Sequence, residues 1–252
     1  MKKWLLTAAC GLLCSTAALA DGWGGVSGQV VINGAVPEPV LLHKKGAPVK
    51  DAEVCAVADT YSEDVVADKD SKGLANVFIY LSKAPKAIHP DLKTPTEKSV
   101  LMDQKACAFL PHAMIVRAGQ SVEVISSDAV AHNTHTFPIK NQGQNLVVAP
   151  NTPKGSGVMI DCKVGERLPI QVKCDYHPWM LGYWLIVDHP YAAVTDKEGK
   201  FKIENLPVGE HECVIWHETA LYIDRKFKIT VKDGEVAELK PITVDVAKLK
   251  KK

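Results

Sequence analysis

The sequence predicts an all-β protein. Short β-branched runs recur along the chain, amphipathic periodicity near 3.6 residues is scarce, and turn-forming pairs punctuate the runs. Candidate strands are 26–32, 74–81, 113–117, 121–126, 157–160, 168–172, 182–187, 201–203, 212–217, 225–231 and 236–239. The pairs Asn33-Gly34, Ala118-Gly119 and Asp233-Gly234, with the stretch 196–199, let the chain reverse at little steric cost. The stretch 196–199 and Asp233-Gly234 read as hairpin turns. Spacing of this kind suits β-sandwiches. With 46% apolar and 23% charged residues, the chain is neither collagenous, disordered nor a polytopic membrane protein.

Taken in order, residues 1–20 read as a secretory signal peptide. Lys2 and Lys3 are basic, 4–13 is apolar but short for a bilayer span, and Ala18-Leu19-Ala20 precedes Asp21 as a cleavage signal. Cys10, after Ala8 and Ala9, comes close to a lipidation pattern, but cleavage after Ala20 is favoured. Removing this segment leaves 28 basic and 29 acidic side chains, a net charge of −1, and five cysteines. That balance excludes nucleic acid as the partner, and the mature chain contains no transmembrane segment. Export implies the periplasm, with the extracellular space as the alternative, and a setting where disulfides persist. An odd cysteine count leaves one thiol to be explained.

Residues 21–95 read as an N-terminal β segment that could complete the first sandwich, 96–188 as that sandwich, and 189–252 as a second, smaller one. The proline-rich stretch 83–96 is a connector. The Asn-, Gln-, Gly- and Pro-rich stretch 139–157 is a long surface connection with few core-forming residues outside 146–149. The basic tail 248–252 is a solvated terminus.

The chemistry concentrates between two predicted strands. Cys174, His177 and Met180 stand at Cys-x-x-His-x-x-Met spacing, so a thiol, an imidazole and a thioether share one loop. One thiolate, two imidazoles and a weak axial thioether make the trigonal donor set of blue copper. His132, which follows the 121–126 strand, is the best candidate for the second imidazole, with His135 close by as the other. The 42 residues between His132 and Cys174 are no obstacle, because loop-closure entropy grows only logarithmically with length. Zinc fits less well, since structural zinc takes four Cys or His donors and methionine is a poor zinc ligand. Cys174 in a disulfide and Met180 as core filler are the plain alternatives, and the shared loop argues against both.

These residues, with Gly119, Val122, Val124, Asp128, Asn133, His135, Pro178 and Gly182, resemble the copper-site segments of the cupredoxins. The short Cys-x-x-His-Pro-aromatic-Met loop is most similar to that of amicyanins, since plastocyanins have a longer final gap. The resemblance implies a Greek-key β-sandwich binding one mononuclear type 1 copper through His132, Cys174 and His177, with Met180 axial. By the same resemblance Asn133 ties the His132 loop to the ligand loop beside the Cys174 sulfur, and His135 is a neighbour or surface histidine. Pro178 and Trp179, beside His177, form a candidate electron-transfer patch. The stretch 195–209 resembles carboxypeptidase regulatory-like, transthyretin-like β-sandwiches, which implies an immunoglobulin-like module with no chemistry of its own. Residues 26–37 faintly resemble the opening of the same module type.

The function implied is that of an exported one-electron carrier between protein redox partners, a cytochrome or an oxidoreductase, with amine oxidation as the circuit the amicyanin likeness suggests. A copper storage or delivery protein and a non-redox adhesion module are the alternatives. No enzyme is expected: multicopper oxidases need His-x-His motifs, which the sequence lacks, and it has no Gly-x-Ser-x-Gly elbow. His43, His89, His112, His189, His211 and His217 have no ligand spacing and read as exposed or structural. With Cys174 reserved for copper, three pairings of Cys55, Cys107, Cys162 and Cys213 stand open. Cys55 with Cys107 is preferred, leaving Cys162 and Cys213 paired or reduced.

Overall fold

The computed structural model describes residues 22–250. The signal peptide read at 1–20 lies outside them. Among the described residues no helix is long and apolar enough to cross a membrane.

The fold is all-β. In chain order the strands are β1 (Trp23–Asn33), β2 (Leu41–His43), β3 (Thr60–Tyr61), β4 (Phe78–Leu81), β5 (Ser99–Lys105), β6 (Ala108–Leu110) and β7 (Ala113–Arg117). They continue with β8 (Ser121–Ser126), β9 (His132–Phe137), β10 (Asn145–Val148), β11 (Val158–Asp161), β12 (Ile170–Lys173) and β13 (Leu181–Val187). The last six are β14 (Ala192–Val194), β15 (Lys200–Pro207), β16 (Gly209–His217), β17 (Leu221–Val231), β18 (Val236–Glu238) and β19 (Ile242–Asp245). One short α-helix, α1 (Ala52–Cys55), lies between β2 and β3, and single 3-10 turns occur at Pro90–Leu92 and Val246–Leu249.

The first sandwich stacks a sheet of order β10-β9-β12-β13-β7 against one of order β11-β8-β5-β6. Alternation builds its core. Val122 and Val124 of β8 and Ile170 and Val172 of β12 point into it, beside Met102, Phe109, Trp184 and Ile186. The stretch read as a surface connection, 139–157, contains β10, which pairs with β9 from Asn145 opposite His135 to Val148 opposite His132. Only Val148 of that strand is buried, so it carries too little apolar signal to stand out in the sequence.

The second sandwich differs from the expected organisation. Strand β1 pairs antiparallel with β15 and parallel with β18 and β19, and β4 lies between β14 and β16. Residues 23–33 and 78–81 therefore belong with the C-terminal strands, not with the first sandwich. The physical reason is pairing: among the described residues β15 and β18 have only β1 as a ladder partner, and β14 has only β4. Residues 189–252 by themselves would leave these strands without neighbours. For the same reason the turns at 196–199 and Asp233-Gly234 are not hairpin turns. Each passes the chain from one sheet to the other, while β16 and β17 form the true hairpin. Gly199 still needs to be glycine: its φ is +76°, and a Cβ there would lie 2.3 Å from the Val30 carbonyl oxygen.

Strand β4 joins the two sandwiches. All four of its residues are buried: Ile79 and Leu81 face the second core, while Phe78 and Tyr80 face Leu185 and Val187 of β13 and Trp216 of β16. A strand buried on both faces reads as an unbroken apolar run, as Phe78-Ile79-Tyr80-Leu81 does. The junction also carries a buried polar contact, from His112 Nε2 to Glu218, with Glu63 3.4 Å from His112 Nδ1.

Candidate metal centre

Strand pairing brings the donors together. Strands β9 and β12 are antiparallel neighbours, with Lys173 opposite His135 and Val172 opposite Thr136. The start of β9 and the end of β12 therefore lie at the same end of the sheet, which puts His132 beside the loop after Lys173. That loop closes on itself: the Cys174 N–H donates to the Met180 carbonyl at 3.2 Å, and the Met180 N–H to the His177 carbonyl at 2.9 Å.

His132, Cys174, His177 and Met180 are all essentially inaccessible to solvent. His132 Nδ1 lies 3.0 Å from His177 Nδ1, and Cys174 Sγ lies 3.9 Å from the first and 3.7 Å from the second. Met180 is buried in the same apolar cluster as Cys174 and Cys107. His132 opens β9 and does not sit in a loop, so its ring is carried by a paired strand. Asn133 accepts the Asp175 N–H at 2.7 Å through Oδ1, which is also 3.4 Å from Cys174 Sγ. Its Nδ2 donates to Asn145 at 2.6 Å and to Asp175 at 2.9 Å. Asn133 thus stitches β9, β10 and the ligand loop together. His135 points away from the triad and meets Asp175 at 3.1 Å near the surface.

Two carboxylates that sequence reasoning did not assign complete the arrangement. Asp128 Oδ2 meets His132 Nε2 at 2.9 Å, and the same carboxylate accepts the N–H groups of Ala106 and Cys107 at 2.7 and 2.8 Å. Asp51 Oδ2 meets His177 Nε2, also at 2.9 Å. An aspartate four residues ahead of a candidate histidine was a local signal for the first. Nothing local marks the second, which is 126 residues from its partner.

These contacts decide the chemistry. An ionised carboxylate only accepts, so each Nε2 carries a hydrogen, and the Nδ1 of each ring is the atom that faces inward. Two ring nitrogens and a sulfur then converge where solvent does not reach them, an arrangement that calls for a cation. Without one, protons must serve. Burial pushes His132 down and the Cys174 thiol up, but the hydrogen bonds that the ring donates to Asp128 and Cys174 outweigh it, and the ring rises to about 9. Hydrogen bonds from both imidazoles hold Cys174 down at about 6. The sulfur is thus held toward its thiolate form, and one soft thiolate with two imidazoles and a nearby buried thioether fits copper.

No family model and no curated protein matches this chain. Among solved structures, the purple cupredoxin from Nitrosopumilus maritimus is 14% identical, with a TM-score of 0.28, over 34% of this chain and 97% of that one. Over part of its length the chain is similar to cupredoxins. Amicyanin from Paracoccus versutus is 15% identical at a TM-score of 0.30, covering 43% of this chain and 96% of its own. A copper-containing nitrite reductase from Thermus scotoductus is 17% identical at 0.28, over 42% of this chain and 25% of that one.

The remaining cysteines sort by location. Cys55 of α1 is bonded to Cys107 in the β5–β6 turn. Cys162 and Cys213 are free and buried in different cores, so they do not pair. Of the patch residues, Pro178 is exposed, while Trp179 is half-buried against His43 and His177.

Proposed function

We propose that this chain binds one copper ion through His132, Cys174 and His177, with Met180 axial, and carries single electrons for a protein redox partner, a cytochrome or an oxidoreductase. The observation that carries this reading is the convergence of two inward-facing Nδ1 atoms on one buried sulfur, with both outer nitrogens taken by carboxylates. Bound there, copper would supply a one-electron couple, cycling between Cu(II) and Cu(I). The protein's part is to keep the donors still. His132 is fixed by β9 and Asp128, Cys174 by the end of β12 and Asn133, and His177 by the closed loop and Asp51. Donors held this way need little rearrangement when an electron passes, and burial excludes water that would otherwise reorganise with the charge.

A copper delivery protein needs a site that opens to its recipient. The burial of all four donors favours a carrier instead. The Cys55–Cys107 disulfide supports an oxidising, exported setting. The second sandwich, whose 195–209 stretch carries the transthyretin-like pattern, serves in this reading as a scaffold without chemistry of its own.

Addition of Cu(II) to the mature protein should produce an intense thiolate-to-copper band in the visible region, and Cys174→Ser should abolish it. A parent protein without the band would refute the copper reading. Reversible voltammetry of the loaded protein supports a carrier, whereas rapid loss of the metal to a competing chelator supports delivery.

A further inference from the structure

The loop that carries His177 is covered by a segment from the other end of the chain. Residues 41–61 form a small self-bonded unit. Strand β2 pairs with β3, the Gly46 N–H donates to the Ala56 carbonyl at 2.8 Å, the Lys45 N–H to Asp59 at 2.8 Å, and His43 Nε2 meets the Cys55 carbonyl at 3.1 Å. The disulfide to Cys107 ties this unit to the β5–β6 turn, and Val49 and Val54 pack against the first core.

From this unit one residue after another reaches the ligand loop. Lys50 Nζ lies 4.5 Å from the centre of the Tyr176 ring, Asp51 binds His177 Nε2, and the His43 ring stands edge-on to Trp179 with centroids 4.9 Å apart. The disulfide sulfurs come within 4.8 Å of a His177 ring nitrogen. His177 consequently has 0% exposure, and the patch read from Pro178 and Trp179 contains no accessible imidazole edge.

We propose that residues 41–61 are a built-in cover of the metal centre and that Asp51 is the positioning residue that holds the outer nitrogen of His177 beneath it. The proposal deepens the copper reading and rests on it for the electronic part alone. Asp51 does two things in this arrangement. Its hydrogen bond fixes the ring orientation that turns Nδ1 toward Cys174, and its negative charge, one imidazole away from the metal position, favours the more highly charged oxidised state. Electrons then leave through the cover or the Trp179 edge, and not through a bare histidine.

The backbone suggests the right variants. Asp51 has φ +55° and ψ 42°, a left-handed conformation that glycine and asparagine tolerate and alanine does not. Asp51→Gly removes the side chain without straining the chain, and Asp51→Asn keeps a hydrogen-bond acceptor while removing the charge. The first measurement uses metal-free protein: modification of individual histidines by diethyl pyrocarbonate, mapped by mass spectrometry. His177 should be protected in the parent and in Asp51→Asn, and modified in Asp51→Gly. The second uses copper-loaded protein. Asp51→Gly should bind Cu(II) about 10- to 100-fold more weakly, Asp51→Asn should restore most of that affinity, and both should show a raised reduction potential. Unchanged protection of His177 in Asp51→Gly overturns the shielding of the ring by Asp51, and an unmoved potential in both variants overturns the positioning role. A parent that fails to develop the thiolate band refutes the copper reading separately, because protection is read without metal.

Discussion

The two sandwiches are built alike and filled differently. The second has a core of aliphatic and aromatic side chains, among them Val30, Leu74, Ile79, Tyr191, Leu206, Ile215 and Val231. The first has a comparable core, but one end of it buries Asp128, His132, Asn133, Thr134 and His177 beside Cys174. Buried polar groups cost stability unless they are paired, and here nearly every one is bonded to a neighbour. The contrast teaches that a β-sandwich holds its shape without such a cluster. In the proposed function the polar end of the first sandwich carries the chemistry and the second sandwich supplies support.

That contrast can be broken at the junction. Phe78 is fully buried where β4 meets β13 and β16. Phe78→Ala should lower stability by about 3–5 kcal/mol while leaving the copper spectrum of the folded fraction unchanged. Calorimetry and visible spectra on one sample would check both. A changed spectrum would mean that the metal end depends on the supporting sandwich for its geometry.

A second test separates the cover from the core. Replacing Cys55 and Cys107 together by serine removes a cross-link between residues 52 apart, which chain entropy values at about 4 kcal/mol. Denaturant titration should show this loss. Histidine mapping should show His177 becoming reactive if the disulfide anchors the cover.

The third and smallest effect concerns pH. Burial pushes His112 down, but the hydrogen bond with Glu218 and the Glu63 carboxylate beside Nδ1 raise it to about 10. Burial holds the Glu218 carboxyl up, so part of the gain is offset. Two carboxylates facing one ring favour the imidazolium. Its folded pKa lies above the unfolded value, so the stabilisation is complete below about pH 6.5 and disappears as pH rises through about 10. A charged hydrogen bond of this kind is worth about 2 kcal/mol. His112→Gln should flatten the stability profile across that window in pH-dependent chemical denaturation, and a parent profile already flat there would argue against the charged form.

Much of the site was legible because its donors share a short stretch of chain. Cys174, His177 and Met180 lie in one seven-residue loop, so any fold that closes this loop brings them near one another, and His132 was reachable once β9 and β12 were neighbours. Strand β8 was legible from the alternation of Val122 and Val124. Strand β10 was not, because of its four residues only Val148 is fully buried and Leu146 reaches the core in part. The N-terminal β segment was seen, but which sandwich it completes was left open, and β1 and β4 pair with the C-terminal strands. A strand's alternation tells which face is buried and says nothing about which sheet buries it.

The sequence by itself determined the all-β class, the turn positions and the Cys-x-x-His-x-x-Met loop, since backbone propensity and close spacing act within a few residues. Tertiary structure alone decided that β1 and β4 complete the second sandwich, that Cys162 and Cys213 stay apart, and that Asp51 lies on His177. Those outcomes depend on which surfaces meet when the whole chain is packed. Residues 126 positions apart become neighbours only because β2, α1 and β3 fold back over the ligand loop and a disulfide holds them there.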